Sequence, residues 1–180
     1  MRHSSLTRHA RAVFRELLFL FAARRDPLVF DFTVQEYWPA VRRGRSVIGT
    51  DLVLSFLGEA QLDGRLENEW SQNVSVRTAR ALLGLLRDVG LLRETVRGRR
   101  EVVDYRISDE AVVLLARELH DSGVTDASLA EHPDWELFGL RGPEVVQRLD
   151  AIGEQRGLLV QRAGSVVHYT WGVKSLGELI

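Results

Sequence analysis

Between residues 75 and 107 the hydrophobic period changes abruptly, and this restricts the fold more than any other feature of the 180-residue chain. Val76, Ala79, Leu82, Leu83 and Leu86 recur at helical spacing after Ser75, a residue type that caps helix starts. The helix is expected to run to about Val89, where Gly90 suits the left-handed position that closes a helix. Beyond it, residues 91–96 and 101–107 read as two strands, joined by the glycine-containing loop Arg97-Gly98-Arg99-Arg100. Helices followed by a two-stranded ribbon predict a winged helix-turn-helix.

The preceding chain supplies the other helices. Ser4 or Ser5 can cap a first helix to about Arg24, with Leu6, Ala10, Val13, Leu17, Leu20 and Phe21 inward, and Asp26-Pro27 ends it. Phe30 and Phe32 read as loop or extended residues. Thr33-Val34-Gln35-Glu36 has capping-box form and opens a short helix to about Arg42, bent or ended near Pro39. After a turn at Arg42–Arg45, Thr50 caps a third helix with Leu52, Val53, Phe56, Leu57 and Ala60 inside, stopping near Asp63-Gly64.

The second half repeats the helix-then-hairpin order. Ser108 caps a helix to about Ser122 with Ala111, Leu114, Leu115 and Leu119 buried, and Gly123 stops it. Residues 124–140 read as short helical turns around Trp135-Glu136-Leu137-Phe138. Pro143 sits at the first turn of a helix to about Arg156. A hairpin follows, from Leu158 to Arg162 and from Val166 to Trp171, then a terminal helix or tail. The fold class is therefore mainly α with small β-hairpins, divided at 1–107 and 108–180.

Charge is segregated along the chain although the formal net charge is −1. Residues 1–25 carry six Arg against Glu16, and residues 71–107 eight Arg against four acids. Residues 108–136 hold eight acids against Arg117 alone. Opposite the apolar stripe of the helix beginning at Ser75 lie Arg77, Arg80, Gly84 and Arg87, three guanidinium groups along one face. Arg bonds phosphate or the guanine edge with two parallel hydrogen bonds, and Ser75 and Thr78 in a first turn would add amides that favour phosphate. Three more Arg (97, 99 and 100) stand at the expected wing tip. Each group also has the plain reading of a solvated, charged face; their placement together points to duplex DNA.

Arg8, Arg11 and Arg15 form a ridge on the first helix, for further phosphate contacts or for pairing with the acidic stretch at 108–136. That stretch would alternatively dock a basic partner. Trp38, Trp70, Trp135 and Trp171 are scattered and read as core anchors rather than base-stacking platforms. Catalysis finds no support. The five His lack metal-ligand spacing, no phosphate-binding glycine loop occurs, and Cys is absent. Pro133-Asp134-Trp135-Glu136 lacks the acid-x-Lys partner of a nuclease, the single Lys being Lys174. No metal, cofactor or small-molecule substrate is therefore expected. The longest apolar run, Leu17–Ala23, is far too short to span a membrane, and a cytoplasmic protein is expected.

Trp70-Ser71, Ser75-x-x-Thr78-x-Arg80 and Asp88-Val89-Gly90-Leu91-Leu92, with the later Trp135–Phe138, resemble the small A-type (BrxA) proteins of bacteriophage exclusion (BREX) defence systems. The similarity runs from about residue 5 to 171, though the chain is shorter than that family leads one to expect. The resemblance implies a non-enzymatic component that binds double-stranded DNA and works with other BREX components, which carry the methyltransferase and ATPase chemistry. By position it places the DNA surface on the helix from Ser75 and the Arg97–Arg100 loop. A winged-helix transcriptional regulator and a protein-interaction module docking other defence subunits are the alternatives.

Overall fold

A computed structural model describes residues 2–66, 70–164 and 166–172. They form a mainly helical protein with two small antiparallel hairpins. Two compact units are present: Leu18–Tyr105, and a discontinuous one in which the described residues up to Leu17 cluster with those from Arg106 onward. The second cut falls between Tyr105 and Arg106.

Helix α1 (Arg2–Arg25) begins before Ser4 and Ser5, which lie inside it. Its buried positions are Glu16, Phe19, Leu20 and Ala23, whereas Phe21, expected inward, is exposed. Glu16 displaces the apolar face because its carboxylate has work in the interior: it accepts from the Ser108 amide at 3.0 Å and from the Ser108 hydroxyl. A buried carboxylate is tolerated only when hydrogen-bonded in this way.

In the unit Leu18–Tyr105, Asp26 breaks α1 and caps the next helix, its side chain accepting from the Leu28 amide at 3.0 Å. Residues 27–42 are then helical throughout: α2 (Pro27–Asp31), a π-helical stretch (Phe32–Tyr37) and α3 (Trp38–Arg42). The expected loop at Phe30 and Phe32 and the capping box at Thr33 are both overturned. Thr33 is buried mid-helix, its hydroxyl donating to the Val29 carbonyl at 2.7 Å, and Phe32 packs edge-on against Phe56. The wider π turn lies immediately before Pro39, whose ring excludes an ordinary α-helical bond at that point; the Trp38 amide reaches back to Thr33.

Helix α4 (Thr50–Leu62) buries Val53, Phe56, Leu57 and Ala60, with Gly49 rather than Thr50 at its cap. Helix α5 (Gln72–Val89) packs on α4 and buries Ala79, Leu82, Leu83, Leu86 and Val89. Strands β1 (Leu92–Glu94) and β2 (Arg100–Val102) are shorter than expected and pair Leu92 with Val102. Residues 103–107 are not in the strand. The ribbon gains instead a third contributor, Ser46–Ile48. Val47 bridges Glu101, the Ile48 amide donates to the Arg100 carbonyl at 3.0 Å, and the Val102 amide donates to Ser46 at 2.9 Å. The buried Tyr37 hydroxyl donates to the Leu91 carbonyl at 2.8 Å, fastening the π segment to the strand entry.

In the other unit, α6 (Asp109–Asp121) is capped by Ser108 as expected, and its burial extends round most of the helix. Short turns follow as expected: α7 (Asp126–Leu129) and a 3-10 turn (Pro133–Phe138) that buries Trp135, whose indole donates to the Leu129 carbonyl at 2.7 Å. Helix α8 (Gly142–Gly153), with Pro143 near its start, continues into a 3-10 turn to Arg156 and then the hairpin β3 (Leu158–Ala163) and β4 (Val166–Trp171). The expected terminal helix or tail lies outside the described residues.

Candidate nucleic-acid interface

The start of α5 determines which of its groups face a ligand. Ser71, not Ser75, is the N-cap, its hydroxyl accepting from the Val74 amide at 3.4 Å. Two serines four residues apart compete for this role. The earlier one adds just over a turn of helix and leaves Ser75 in the second turn, its hydroxyl donating to the Ser71 carbonyl at 3.3 Å. Ser75 and Thr78 are consequently not first-turn residues, and the amides expected to favour phosphate there are engaged within the helix. The free end of α5 belongs to Gln72 and Asn73.

Arg77 and Arg80 are exposed on α5, and neither has an acidic partner among the described residues. With Val74, Thr78 and Ala81 they line a shallow groove along the helix. Gly84 leaves the next turn bare, a Cβ there meeting nothing within 4 Å. Arg87 differs. Its guanidinium is gripped by Asp88 at 2.8 Å and Glu94 at 3.0 Å, and the hydrogen bonds it donates to these carboxylates push its pKa further up. The three-arginine face therefore resolves into two free groups and one that fastens α5 to β1.

The hairpin loop resolves similarly. Gly98 adopts φ of +71°, and its amide donates to the Thr95 carbonyl at 2.9 Å, while Thr95 donates to the Arg99 carbonyl at 2.8 Å. This tight turn leaves Arg97 and Arg99 exposed at the tip. Arg100 is not at the tip: it lies in β2 opposite Glu94, half-buried, its buried Nε without a partner among the described residues. Arg93, on the same ribbon, is tied to Glu101 at 2.8 Å.

Arg11 and Arg15 are exposed on α1 and make no ion pair among the described residues; the side chain of Arg8 lies outside the described set. The acids at 108–136 have other partners. Asp109 pairs with Arg148, and Glu110 with Arg156 and with His9 at 2.5 Å. Arg117 holds Asp121 at 2.9 Å, and His168 holds Asp126 at 2.5 Å. Burial acts to raise the Glu110 carboxyl, but its own backbone amide, Arg156 and His9 outweigh that and hold it below its ordinary value. Much of the acidic stretch is internal cement.

Of the tryptophans only Trp135 is fully buried; Trp38 packs by Tyr37 and Tyr105, and Trp171 lies under the Arg117 guanidinium at 5.2 Å. Trp70 lines a recess with Phe56 and Arg65. Among the described residues no group of three His, Asp or Glu is arranged to hold a metal, and no helix is long and apolar enough to cross a membrane.

The third ribbon contributor was the main element that sequence reasoning missed. Its signal was small but present: Ser46-Val47-Ile48, with two β-branched residues between Gly44 and Gly49. No curated protein and no solved structure matches the chain. The model of the family described as BrxA matches residues 4–118, a stretch holding α1 through most of α6 and all the exposed arginines of α5 and the hairpin tip. That match covers more than half of the sequence, and the chain belongs to the BrxA family.

Proposed function

We propose that this chain is a non-enzymatic, double-stranded DNA-binding component of a BREX-type phage-defence system, with Leu18–Tyr105 acting as a winged helix-turn-helix. Family membership implies the BREX-associated role. The DNA reading is carried by one observation: Arg77 and Arg80 on α5, and Arg97 and Arg99 on the hairpin tip, are exposed and without an acidic partner among the described residues, although neighbouring Arg87 and Arg93 are neutralised. The order of elements supports it, with α4 packed on α5 and a ribbon at the end of α5 joined by Ser46–Ile48.

In this mode α5 enters a major groove by its exposed face. Arg77 and Arg80, about 4.5 Å apart along the axis, meet phosphates or guanine edges. Arg97 and Arg99 reach the neighbouring backbone from the tip, as a wing does. Arg87 keeps α5 and β1 in register instead of touching DNA.

The test is duplex affinity against salt for the parent and for Arg77→Ala/Arg80→Ala. Each phosphate contact contributes about 0.9 to the slope of log K against log salt, so the double variant loses up to about 1.8 of that slope. An unchanged slope, or no binding by the parent at low salt, sinks the assignment of this surface.

A further inference from the structure

Helix α1 buries Glu16, Phe19, Leu20 and Ala23, and a second line of side chains runs along its opposite side. Arg11, Phe14, Leu18, Phe21 and Arg25 recur at alternating spacings of three and four residues, and all are exposed. Phe14 is 62%, Leu18 51% and Phe21 55% exposed, the last even with the Arg24 guanidinium 5.9 Å from its ring centroid. A three-four alternation keeps successive side chains on one narrow line, the geometry of a helix-to-helix seam. Single exposed apolar residues need no explanation, but three large ones in a row mark a surface that a partner covers. The line is carried by one continuous helix.

Charge selects the partner. The line begins and ends in Arg, Arg15 lies beside it, and the one acid in the helix, Glu16, is buried and bonded to Ser108. Arg11, Arg15 and Arg25 make no ion pair among the described residues. A second copy of the chain would set arginine against arginine in either direction of pairing. A lipid surface is disfavoured because Arg11 and Arg25 stand on the apolar line itself, whereas an interfacial helix keeps its charges on the face away from the acyl chains. We propose that this stripe docks an acidic amphipathic helix of a partner protein. Apolar residues of that helix pack against Phe14, Leu18 and Phe21, and carboxylates at both ends of its seam meet Arg11, Arg15 and Arg25. The surface uses none of the arginines assigned above to DNA.

The test uses a synthetic helical peptide of about three heptads, with Leu along its middle seam and Glu at the seam ends and flanks. Its twin carries Lys in place of every Glu. Binding to the full chain is followed by anisotropy of the labelled peptide and by ¹⁵N–¹H NMR. The Glu peptide binds and shifts the amides of Leu18 and Phe21, and the Lys twin binds at least about tenfold more weakly. Phe14→Ser/Leu18→Ser removes exposed side chains without opening the core. It weakens the Glu peptide at least about tenfold, with Tm and duplex-DNA affinity unchanged. Arg11→Glu/Arg15→Glu inverts the preference, losing the Glu peptide and gaining its twin. Arg77→Ala/Arg80→Ala leaves both peptide affinities as they were, so failure of the DNA assignment and failure of this one are told apart. The proposal is overturned if the Glu peptide shifts neither amide, if the Lys twin binds equally, or if Phe14→Ser/Leu18→Ser leaves the affinity unchanged. It is equally overturned if that variant abolishes binding to phosphatidylglycerol vesicles, a dimer seen in sedimentation, or duplex binding. Those results would name a membrane, a second copy or DNA as the occupant.

Discussion

The molecule contains the same succession twice, a helix leading into an antiparallel hairpin: α5 with β1–β2, and α8 with β3–β4. Their chemistry is opposite. In the first, Arg77, Arg80, Arg97 and Arg99 are exposed and have no acidic partner among the described residues. In the second, all three arginines are held, Arg148 by Asp109 and by the Ile107 carbonyl at 3.0 Å, Arg156 by Glu110, and Arg162 by Asp150 at 3.3 Å. The order of elements specifies a shape. Whether an arginine has an acid within reach decides whether that shape attracts a polyanion, because a paired guanidinium must first give up its carboxylate.

The contrast is most sharply broken by charge reversal. Arg77→Glu/Arg80→Glu is expected to weaken duplex binding by about a thousandfold at low salt, roughly 4 kcal/mol. Arg148→Gln/Arg162→Gln leaves DNA affinity unchanged; binding assays on both pairs would expose an error in either half. Core truncation comes next and treats the two pairs alike. Leu86→Ala in α5 and Leu149→Ala in α8, each 0% exposed, should each cost about 3 kcal/mol in denaturant unfolding. Trimming the tip with Arg97→Ala/Arg99→Ala should weaken DNA binding roughly tenfold and flatten its salt slope, whereas Arg87→Ala leaves the slope as it was.

The smallest effects separate two buried phenols. Tyr37→Phe abandons the Leu91 carbonyl and should cost about 1 kcal/mol, while Tyr169→Phe removes a buried hydroxyl that has no partner among the described residues and costs nothing measurable. The alkaline limit follows the same residue. Tyrosine in the unfolded chain ionises near about 10, and burial pushes Tyr169 in the fold up to about 12. Its contribution is therefore complete below pH 10 and is lost as pH rises through the folded value. Absorbance at alkaline pH, followed with unfolding, reads both.

Regular periodicity was legible in the sequence where one force dominated. The buried stripe of α5, the Ser108 cap, the glycine stops at 90 and 123, and both hairpins came from spacing and turn chemistry alone. The helix expected to about Arg42 is present. Residues 27–33 were expected as loop and Pro39 as a bend or end, because the capping-box pattern at Thr33 and the proline both signal interruption locally. Burial of Phe32 and Tyr37 overrides them, with the π turn absorbing the proline. The site was half legible. Helical spacing identified which arginines share a face, but pairing depends on acids brought near by the fold. Glu94 reaches Arg87 only after the chain reverses at Gly90.

The bond from Ser108 to Glu16 joins positions 92 residues apart, and the whole Leu18–Tyr105 unit lies between them. On a ribosome the earlier strand of this contact emerges long before the later one. The amino-terminal turns of α1 must wait, their interior carboxylate unmet, while the intervening unit becomes complete and free to collapse. Once folded, that insert acts as a compact spacer and shortens the open loop that has to close, reducing its entropy cost. Vectorial synthesis thus completes the Leu18–Tyr105 segment before the unit that encloses it in sequence.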